Sequence, residues 1–315
     1  MTRLHRFAWV VLGWNLAVIL WGAFVRASGS GAGCGAHWPL CNGEVLPRAP
    51  ALATMVEFTH RATSGVALLL VLALVLWVFR SRPAGHPARR AAAMAGALIL
   101  TEAAVGAGLV LFRLVAQDES VARALFMAVH LVNTFLLLAA LALTAHWCAN
   151  DAPLRRDALA RDGWRFGFGF LGLLLIGTSG AVAALGDTLY PAQSLLSGLV
   201  LDISPTAHFL VRLRLAHPVL ALAGALVVTF AAARLLQASD EPRARRAAYR
   251  VPAIALAQIA AGVVNVALLA PVWMQILHLL LADVLWIAYV LLAAHALALA
   301  PEPALAGPRP PLDQA

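Results

Sequence analysis

The sequence predicts an all-α, polytopic membrane protein with eight transmembrane helices. Of its 315 residues, 62% are hydrophobic and only 12% are charged, and the mean hydropathy is +0.83. The apolar residues also fall into eight runs that are long enough to cross a bilayer. A helix satisfies its own backbone hydrogen bonds over a run of that length, as lipid requires. The predicted spans are 8–27, 56–79, 91–112, 123–147, 165–186, 210–234, 250–270 and 273–299.

The eight spans divide into two halves that resemble each other. Histidines near the start of the even-numbered spans recur at intervals of 157 (217 − 60) and 148 (278 − 130) residues, and Glu102 corresponds to Gln258 at 156 (258 − 102). We therefore expect two tandem four-helix bundles, 1–150 and 151–300, related by a pseudo-twofold axis along the membrane normal. Residues 301–315 are expected to form a flexible cytoplasmic tail. The histidines are His60, His130, His217 and His278.

Arginine placement predicts the orientation of the chain. All 23 basic residues are arginine, and 16 of them lie at the termini or in the connections from even to odd spans. The excess of positive charge on the cytoplasmic side therefore predicts that both termini are cytoplasmic. The chain enters its first span without an amphipathic leader, which indicates a bacterial plasma membrane; a cleaved signal peptide is the alternative for residues 1–28. The net charge of +8 reflects topology and does not indicate nucleic-acid binding.

The four histidines are predicted to lie at one depth, about 7–11 Å inside the outer ends of their helices. Neutral imidazoles at equal depth on neighbouring helices suit the two axial positions of a haem iron, with the propionates toward the aqueous face. Arg61, Arg212 and Arg214 are the candidate propionate partners. The alternative role for each histidine is an interhelical hydrogen bond. Because four histidines occupy equivalent positions, and ionisable residues within a membrane are costly and usually functional, this alternative is the weaker one.

Two cysteines lie in the first outer loop. Cys34 and Cys41 enclose His37, Trp38 and Pro39, and on an oxidising face a disulfide is the default expectation. A metal site formed by both cysteines with His37, and a redox-active cysteine pair, are the alternatives.

Among the acidic residues, Glu57 is the strongest candidate for a functional role. It lies three positions before His60 and shares a face of the second helix with it. A carboxyl group beside a porphyrin edge can exchange a proton or stabilise positive charge. The corresponding position in the second half, 57 + 157 = 214, is Arg214. This difference predicts one reactive site and one electron-carrying site. The alternative role for Glu57 is a salt bridge to Arg61.

Three segments together resemble the haem A synthase family. They are 22–31, which reads GAFVRASGSG; Cys34 followed by 38–41, which reads WPLC; and 57–61, which reads EFTHR. The resemblance covers nearly the whole chain, and the histidines at 130, 217 and 278 reinforce it. The loop departs from the family where Ala36 and His37 precede the tryptophan, and the connection from 187 to 208 carries no clear family signature.

The resemblance implies a two-step oxidation of a methyl group of haem O, through a geminal diol, to the formyl group of haem A. By the same resemblance, His217 and His278 would ligate haem b, His60 and His130 would flank haem O, Glu57 would be the catalytic acid or base, and Cys34 and Cys41 would form a disulfide. Two histidines on the substrate iron would leave no open position for oxygen, so that either one ligand dissociates or that iron does not activate oxygen directly.

The resemblance also implies partners. These are the substrate haem O, an external electron donor, a haem O synthase that prenylates the haem, and the machinery that assembles cytochrome oxidase. The apolar surface suits contact with membrane lipid and is equally compatible with a homo-oligomer. The alternatives from other classes are a two-haem b-type membrane cytochrome that carries electrons and a haem-binding transporter. A transmembrane cytochrome should stack its haems across the bilayer, whereas the four histidines are predicted at one depth.

Overall fold

The computed structural model describes residues 2–149, 154–238 and 241–298, and within them the regular elements are helices joined by loops. The helices are α1 Arg3–Ala27, α2 Leu52–Ser81, α3 Pro87–Leu111, α4 Val121–Ala149, α5 Arg156–Leu189, α6 Leu195–Ile203, α7 Phe209–Arg212, α8 Ala216–Ala238, α9 Pro242–Ala267 and α10 Val272–Ala298, with a 3₁₀ turn at Leu213–Leu215 between α7 and α8. The predicted tail from 301 to 315 lies outside the described residues.

Eight of the described helical segments are long and apolar enough to cross a membrane, which confirms the predicted fold class. They are α1 to α5, a sixth segment Phe209–Gln237 that joins α7 to α8, then Ala244–Ala267 and α10. Most begin a few residues before the predicted start. The reason is that a helix continues beyond its apolar core wherever the flanking residues cap it: Thr2 accepts a hydrogen bond from the backbone of His5, and Glu241 from that of Ala244.

The short helix α6 was not predicted. It occupies the connection between the fifth and sixth spans, and Ser194 and Ser197 form a reciprocal capping box at its start. Its apolar side chains point outward, and Leu196 is 74% exposed. The nine-residue length explains the omission, because the apolar run is too short to cross a membrane and was read as loop.

Helices α4 and α10 pack against each other at the centre of the described bundle. Helix α4 also packs on α1, α3 and α5, while α10 also packs on α9, α1 and α5. If α1 corresponds to α5 and α4 to α10, the contact of α1 with α10 in one direction matches the contact of α5 with α4 in the other. This pattern is the one that two bundles exchanged by a twofold axis would make; the axis itself, and the division at 150, stay predictions.

Aromatic side chains fill the space between α4, α5 and α10. Trp286 is almost fully buried, stacks on Phe135 with ring centroids 4.9 Å apart, and donates its indole N–H to the Phe135 carbonyl at 2.5 Å. Tyr289 is completely buried and contacts Phe170 edge to face. Gly169 on α5 lies directly against the Tyr289 ring, so that the absence of a side chain there is what permits the close packing of α5 on α10.

One arginine joins the two halves at the end of the bundle that carries the 28–51 loop, called the disulfide end below. Arg26, in the last turn of α1, donates to the Ala184 carbonyl and the Thr188 hydroxyl of α5, both at 2.7 Å. Its other terminal nitrogen donates to the side chain of Gln275 on α10 at 2.9 Å. A single guanidinium group therefore joins three helices through charge-assisted hydrogen bonds.

Replacing Arg26 by Gln should lower the free energy of unfolding by about 1–3 kcal/mol, because three acceptors between α1, α5 and α10 lose their donor. The expected observation is a lower midpoint of thermal unfolding in detergent. Arg113→Gln is the matched control, since the exposed Arg113 side chain makes no hydrogen bond or ion pair within the described part of the chain. Equal midpoints for the two variants would contradict the role given to Arg26.

Candidate functional site

The four predicted histidines lie at similar depth below the disulfide end. They are separated from the starts of their membrane segments by eight (60 − 52), nine (130 − 121), eight (217 − 209) and six (278 − 272) residues. At about 1.5 Å per residue this puts them about 9–14 Å inside the helix ends. The depth exceeds the predicted one because most of these helices begin earlier than the apolar runs. All four side chains are half-buried.

His217 and His278 form a close pair. Their ring centroids are 6.2 Å apart, and the ring planes are perpendicular. On α5, the Ser179 hydroxyl lies 3.1 Å from Nδ1 of His217, and on α9 the Gln258 amide nitrogen lies 3.3 Å from Nε2 of His278. Nδ1 of His278 is buried and has no hydrogen-bond partner among the described residues.

His60 and His130 come from α2 and α4, and their surroundings differ. Nδ1 of His60 is buried without a hydrogen-bond partner in the described chain. Nδ1 of His130 lies 3.5 Å from a carboxyl oxygen of Glu102 on α3, close enough for an ion pair but outside hydrogen-bond geometry. Each ring thus keeps a nitrogen that no described protein group satisfies. Such atoms are expensive in a membrane interior unless something else binds them.

A glycine faces three of the four imidazoles from the preceding membrane helix. A Cβ atom on Gly22 would lie 2.9 Å from the His60 ring, and one on Gly180 would lie 2.9 Å from the His217 ring. A Cβ atom on Gly262 would likewise lie 3.1 Å from the His278 ring. Gly22 and Gly180 are 158 residues apart (180 − 22), so the same contact recurs in both halves. Glycine at these positions lets an imidazole approach the backbone of the neighbouring helix closely.

Glu57 is nearly fully buried, and it anchors the 28–51 loop. One carboxyl oxygen accepts the backbone N–H of Cys34 at 2.8 Å, and the other accepts from Arg61 at 2.5 Å. The Arg61 guanidinium then reaches the carbonyls of His37 and Leu40 at 2.5 and 2.7 Å. The salt bridge considered as the alternative role for Glu57 is therefore present, and Arg61 is committed mainly to the loop.

The loop itself is closed by a disulfide between Cys34 and Cys41, as expected. Both cysteines are buried. Because the sulfur atoms are bonded to each other, neither is available as a thiolate, which rules out the alternative metal site with His37. Within the described residues, no three histidine, cysteine or acidic side chains are grouped so that they could hold a bare metal ion.

The arginines near the second histidine pair differ in availability. Arg214 lies 3.0 Å from Asp187 and 3.2 Å from Asp202, both acidic residues that were not singled out from the sequence. Burial raises the pKa of Asp202, and the positive charge of Arg214 opposes that rise. Arg212 is exposed, and its side chain makes no hydrogen bond or ion pair to any residue that the structure describes. Of the two, Arg212 is the one free to meet a further anion.

Several neighbours of the histidines could not be recognised from the sequence. Ser179 lies in an ordinary apolar run, and only the fold brings it to His217. Asp283 is completely buried in α10, and neither carboxyl oxygen has a hydrogen-bond partner within the described chain. The recurrence of Gly22 at Gly180 was an available signal that was missed, because the spacings to the following histidine, 38 (60 − 22) and 37 (217 − 180) residues, are nearly equal.

A family model described as cytochrome oxidase assembly protein, COX15-CtaA, matches residues 5–290. The chain is 53% identical over 296 residues to a protein of Thermus thermophilus named protoheme IX farnesyltransferase, with 94% of this chain and 49% of that protein covered. It is 41% identical over 97 residues to a heme A synthase of Alkalihalophilus pseudofirmus, covering 31% of this chain and 33% of the relative. A heme A synthase of Exiguobacterium sibiricum is 37% identical over 123 residues, covering 39% and 40%. The chain thus spans about half the length, or less, of these curated relatives.

Replacing Arg61 by Gln should release the 28–51 loop, because the carbonyls of His37 and Leu40 lose a charged donor. Loss of these bonds should raise local opening and hence cleavage of the loop by proteinase K about tenfold. Arg48→Gln is the control, since Arg48 lies in the same loop and its exposed side chain holds no described residue. If the two variants are cleaved at the same rate, Arg61 does not hold the loop.

Proposed function

The chain belongs to the COX15-CtaA family of cytochrome oxidase assembly proteins, and we propose that it is an oxidoreductase that converts haem O to haem A. In the proposed reaction, a methyl group of the porphyrin is hydroxylated twice, and the resulting geminal diol loses water to give a formyl group. The relatives named heme A synthase support this activity for the part of the chain that they match.

The Thermus relatives are named for prenyl transfer, and this name is compatible with the proposed oxidation. Farnesylation of protohaem supplies the prenylated haem that the proposed reaction consumes, and this chain matches only 49% of those relatives. We propose that the matched half performs the oxidation and that prenyl transfer belongs to the rest. Prenyl transfer from a diphosphate uses carboxylate-bound magnesium, whereas this chain carries histidine pairs within its membrane helices. A haem O synthase is accordingly the proposed partner.

The observation that carries the proposal is the separation of the His217 and His278 rings. Two imidazoles bound to opposite sides of one iron, each nitrogen about 2 Å from the metal, have ring centroids about 6 Å apart. The observed distance is 6.2 Å. We therefore assign these two histidines to haem b, which would supply electrons one at a time. Contact of Nδ1 of His217 with Ser179 would leave its Nε2 free to bind.

His60 and His130 are the proposed ligands of the substrate haem O. The support is their matching depth, the unsatisfied nitrogen on each ring, and the room that Gly22 leaves beside His60. Glu57 lies one turn from His60, and we propose that its carboxyl group is the acid or base at the porphyrin edge. To act in this way Glu57 must exchange one of its present hydrogen bonds, to Cys34 or to Arg61, for the substrate.

Propionates of the two porphyrins need cationic partners at the disulfide end. Arg212 is the strongest candidate, because no described group occupies it. Arg214 could bind a propionate only while it remains paired with Asp187 and Asp202. Arg61 could do so only through the N–H groups that its contacts with the loop carbonyls leave free. Binding of a dianionic edge near Arg212 would add charge-assisted hydrogen bonds where the protein has spare donors.

The proposed setting is a bacterial plasma membrane, with both termini in the cytoplasm and the disulfide end outside. The support is the concentration of arginine in the termini and the connections opposite the disulfide end. Electrons would come from an external donor, and the product would pass to cytochrome oxidase assembly, the role that gives the family its description. An electron-carrying two-haem cytochrome is disfavoured, because the four histidines lie near one end of the bundle instead of at two depths. A haem-binding transporter would need no acid such as Glu57.

The first test is pigment extraction from protein purified out of cells that also make haem O, followed by chromatography and mass determination of each haem. We expect haem b together with haem A or a hydroxylated intermediate. The Glu57→Gln variant should retain haem b and yield haem O unoxidised. Haem b as the sole pigment in the wild type, despite available haem O, would favour the electron carrier, and normal haem A in the variant would remove Glu57 from the chemistry.

The assignment of haem b to the second histidine pair can be tested through a glycine. In Gly180→Ala the new methyl group would displace the His217 ring, so haem b content per protein should fall to about half or less, since ligand placement tolerates only small shifts. Gly13→Ala is the control, because no atom lies within 4 Å of a Cβ at that position. Gly22→Ala should likewise keep haem b. Full haem b in Gly180→Ala, measured as pyridine haemochrome, would contradict the assignment.

A further inference from the structure

A polar network surrounds Glu102 between α3 and α4. One carboxyl oxygen accepts a hydrogen bond from the Asn133 amide and the other accepts one from the Thr134 hydroxyl, both at 2.5 Å. Thr101 in turn donates to Asn133 at 2.6 Å. Both carboxyl oxygens are thus hydrogen-bonded, one to Asn133 and the other to Thr134, whose hydroxyl also lies 2.8 Å from the His130 carbonyl. The network therefore fixes the Glu102 carboxylate firmly in place.

The fixed carboxylate faces His130. Its Oε1 atom lies 3.5 Å from Nδ1 of the imidazole, and that nitrogen has no hydrogen-bond partner among the described residues. The side chains of His130 and Glu102 are 28% and 18% exposed, so water competes only partly for this contact. A small rotation of the ring would turn the close approach into an N–H to carboxylate hydrogen bond.

The second half of the chain lacks this network. The intervals that relate the halves place Ala257 (101 + 156) and Gln258 (102 + 156) where Thr101 and Glu102 stand in the first. Asn133 and Thr134 are likewise replaced, with an interval of 148, by Leu281 and Ala282. Of four polar residues only one amide remains. Its nitrogen lies 3.3 Å from Nε2 of His278 and it carries no charge.

We propose that Glu102 is a positioning residue, which holds His130 through its Nδ1–H and makes that imidazole the more basic of the two ligands at the substrate site. This inference rests on the proposed function, in which His130 binds the iron of the substrate haem. A carboxylate behind a ligating histidine fixes the ring orientation and its tautomer and raises the basicity of the ligating nitrogen. His60 has no such partner among the residues that the structure describes, so the two ligands of one site are held unequally.

The competing role for Glu102 is purely mechanical, a polar pin between α3 and α4. Thr134→Val separates the two roles, because it removes one donor to Glu102 but leaves the carboxylate facing His130. A pin would be weakened about equally by Thr134→Val and by Glu102→Gln. A positioning residue would be lost in Glu102→Gln alone, since the amide is uncharged and resembles Gln258 at the corresponding place.

The test uses the full-length protein loaded with both haems, with the midpoint potential and the low-temperature EPR spectrum of each haem as the readouts. In Glu102→Gln the potential of the substrate-site haem should rise, because a less basic ligand stabilises oxidised iron less, and its EPR g values should change. The haem b signals should not move. Thr134→Val should leave both potentials near those of the wild type while lowering thermal stability.

The reciprocal variant Gln258→Glu gives a second measurement that does not depend on the folding of Glu102→Gln. Gln258 faces Nε2 of His278 and leaves Nδ1 without a described partner, so a carboxylate there would act on an imidazole that binds iron through Nδ1. On that arrangement the variant should lower the potential of haem b and spare the substrate site. Unchanged potentials and spectra in both variants, with both haems bound, would overturn the positioning role while leaving the proposed function intact. Failure of the wild type to bind any haem besides haem b would instead overturn the proposed function and this inference with it.

Discussion

An unsatisfied polar atom in the hydrocarbon of a membrane costs several kcal/mol, and the arrangement of this protein follows from that cost. The hydroxyls of Thr59, Thr144 and Thr178 each donate to the carbonyl four residues earlier in the same helix, at 2.7, 2.7 and 2.9 Å. Against this background, the imidazole nitrogens without described partners on His60, His130 and His278, three of the four histidines of the candidate site, stand out. A metal or another group bound at these nitrogens would remove the cost of leaving them without a partner. The histidines therefore indicate a binding site more strongly than the shape of any cavity does.

The sequence predicted the membrane spans and the depth of the histidines well, because both depend on local properties, namely the length of an apolar run and the position of a residue within it. It predicted less well what depends on distant contacts. For Glu57 the sequence predicts an acid or base, with a salt bridge to Arg61 as the alternative; the salt bridge is present, but the bond from the Cys34 backbone depends on the fold of the loop and was not predicted. The ion pairs of Arg214 and the α6 helix were missed. Asp187 lies at the end of α5 and Asp202 in α6, so only the fold brings them to Arg214, and a nine-residue apolar segment has no pattern of its own.

The two halves share a scaffold and differ in the polar groups added to it. The shared part is the glycine against the imidazole, seen at Gly22 and Gly180. The added polar groups differ between the halves: the first half has the network around Glu102, and the second has Ser179 beside His217. A common backbone can hold two similar planar groups in this way, while the few side chains that differ decide the chemistry at each.

The bonds made by Arg26 have a consequence for how the chain is built. Its partners on α5 and α10 follow it by 158 to 249 residues. At a synthesis rate of about 5–20 residues per second, the guanidinium group waits about 12–50 s before Gln275 is made. In that time the long side chain can keep its charge in water only by extending toward the membrane surface. The first helix therefore enters the membrane early but reaches its final packing last, once the eighth span has been inserted.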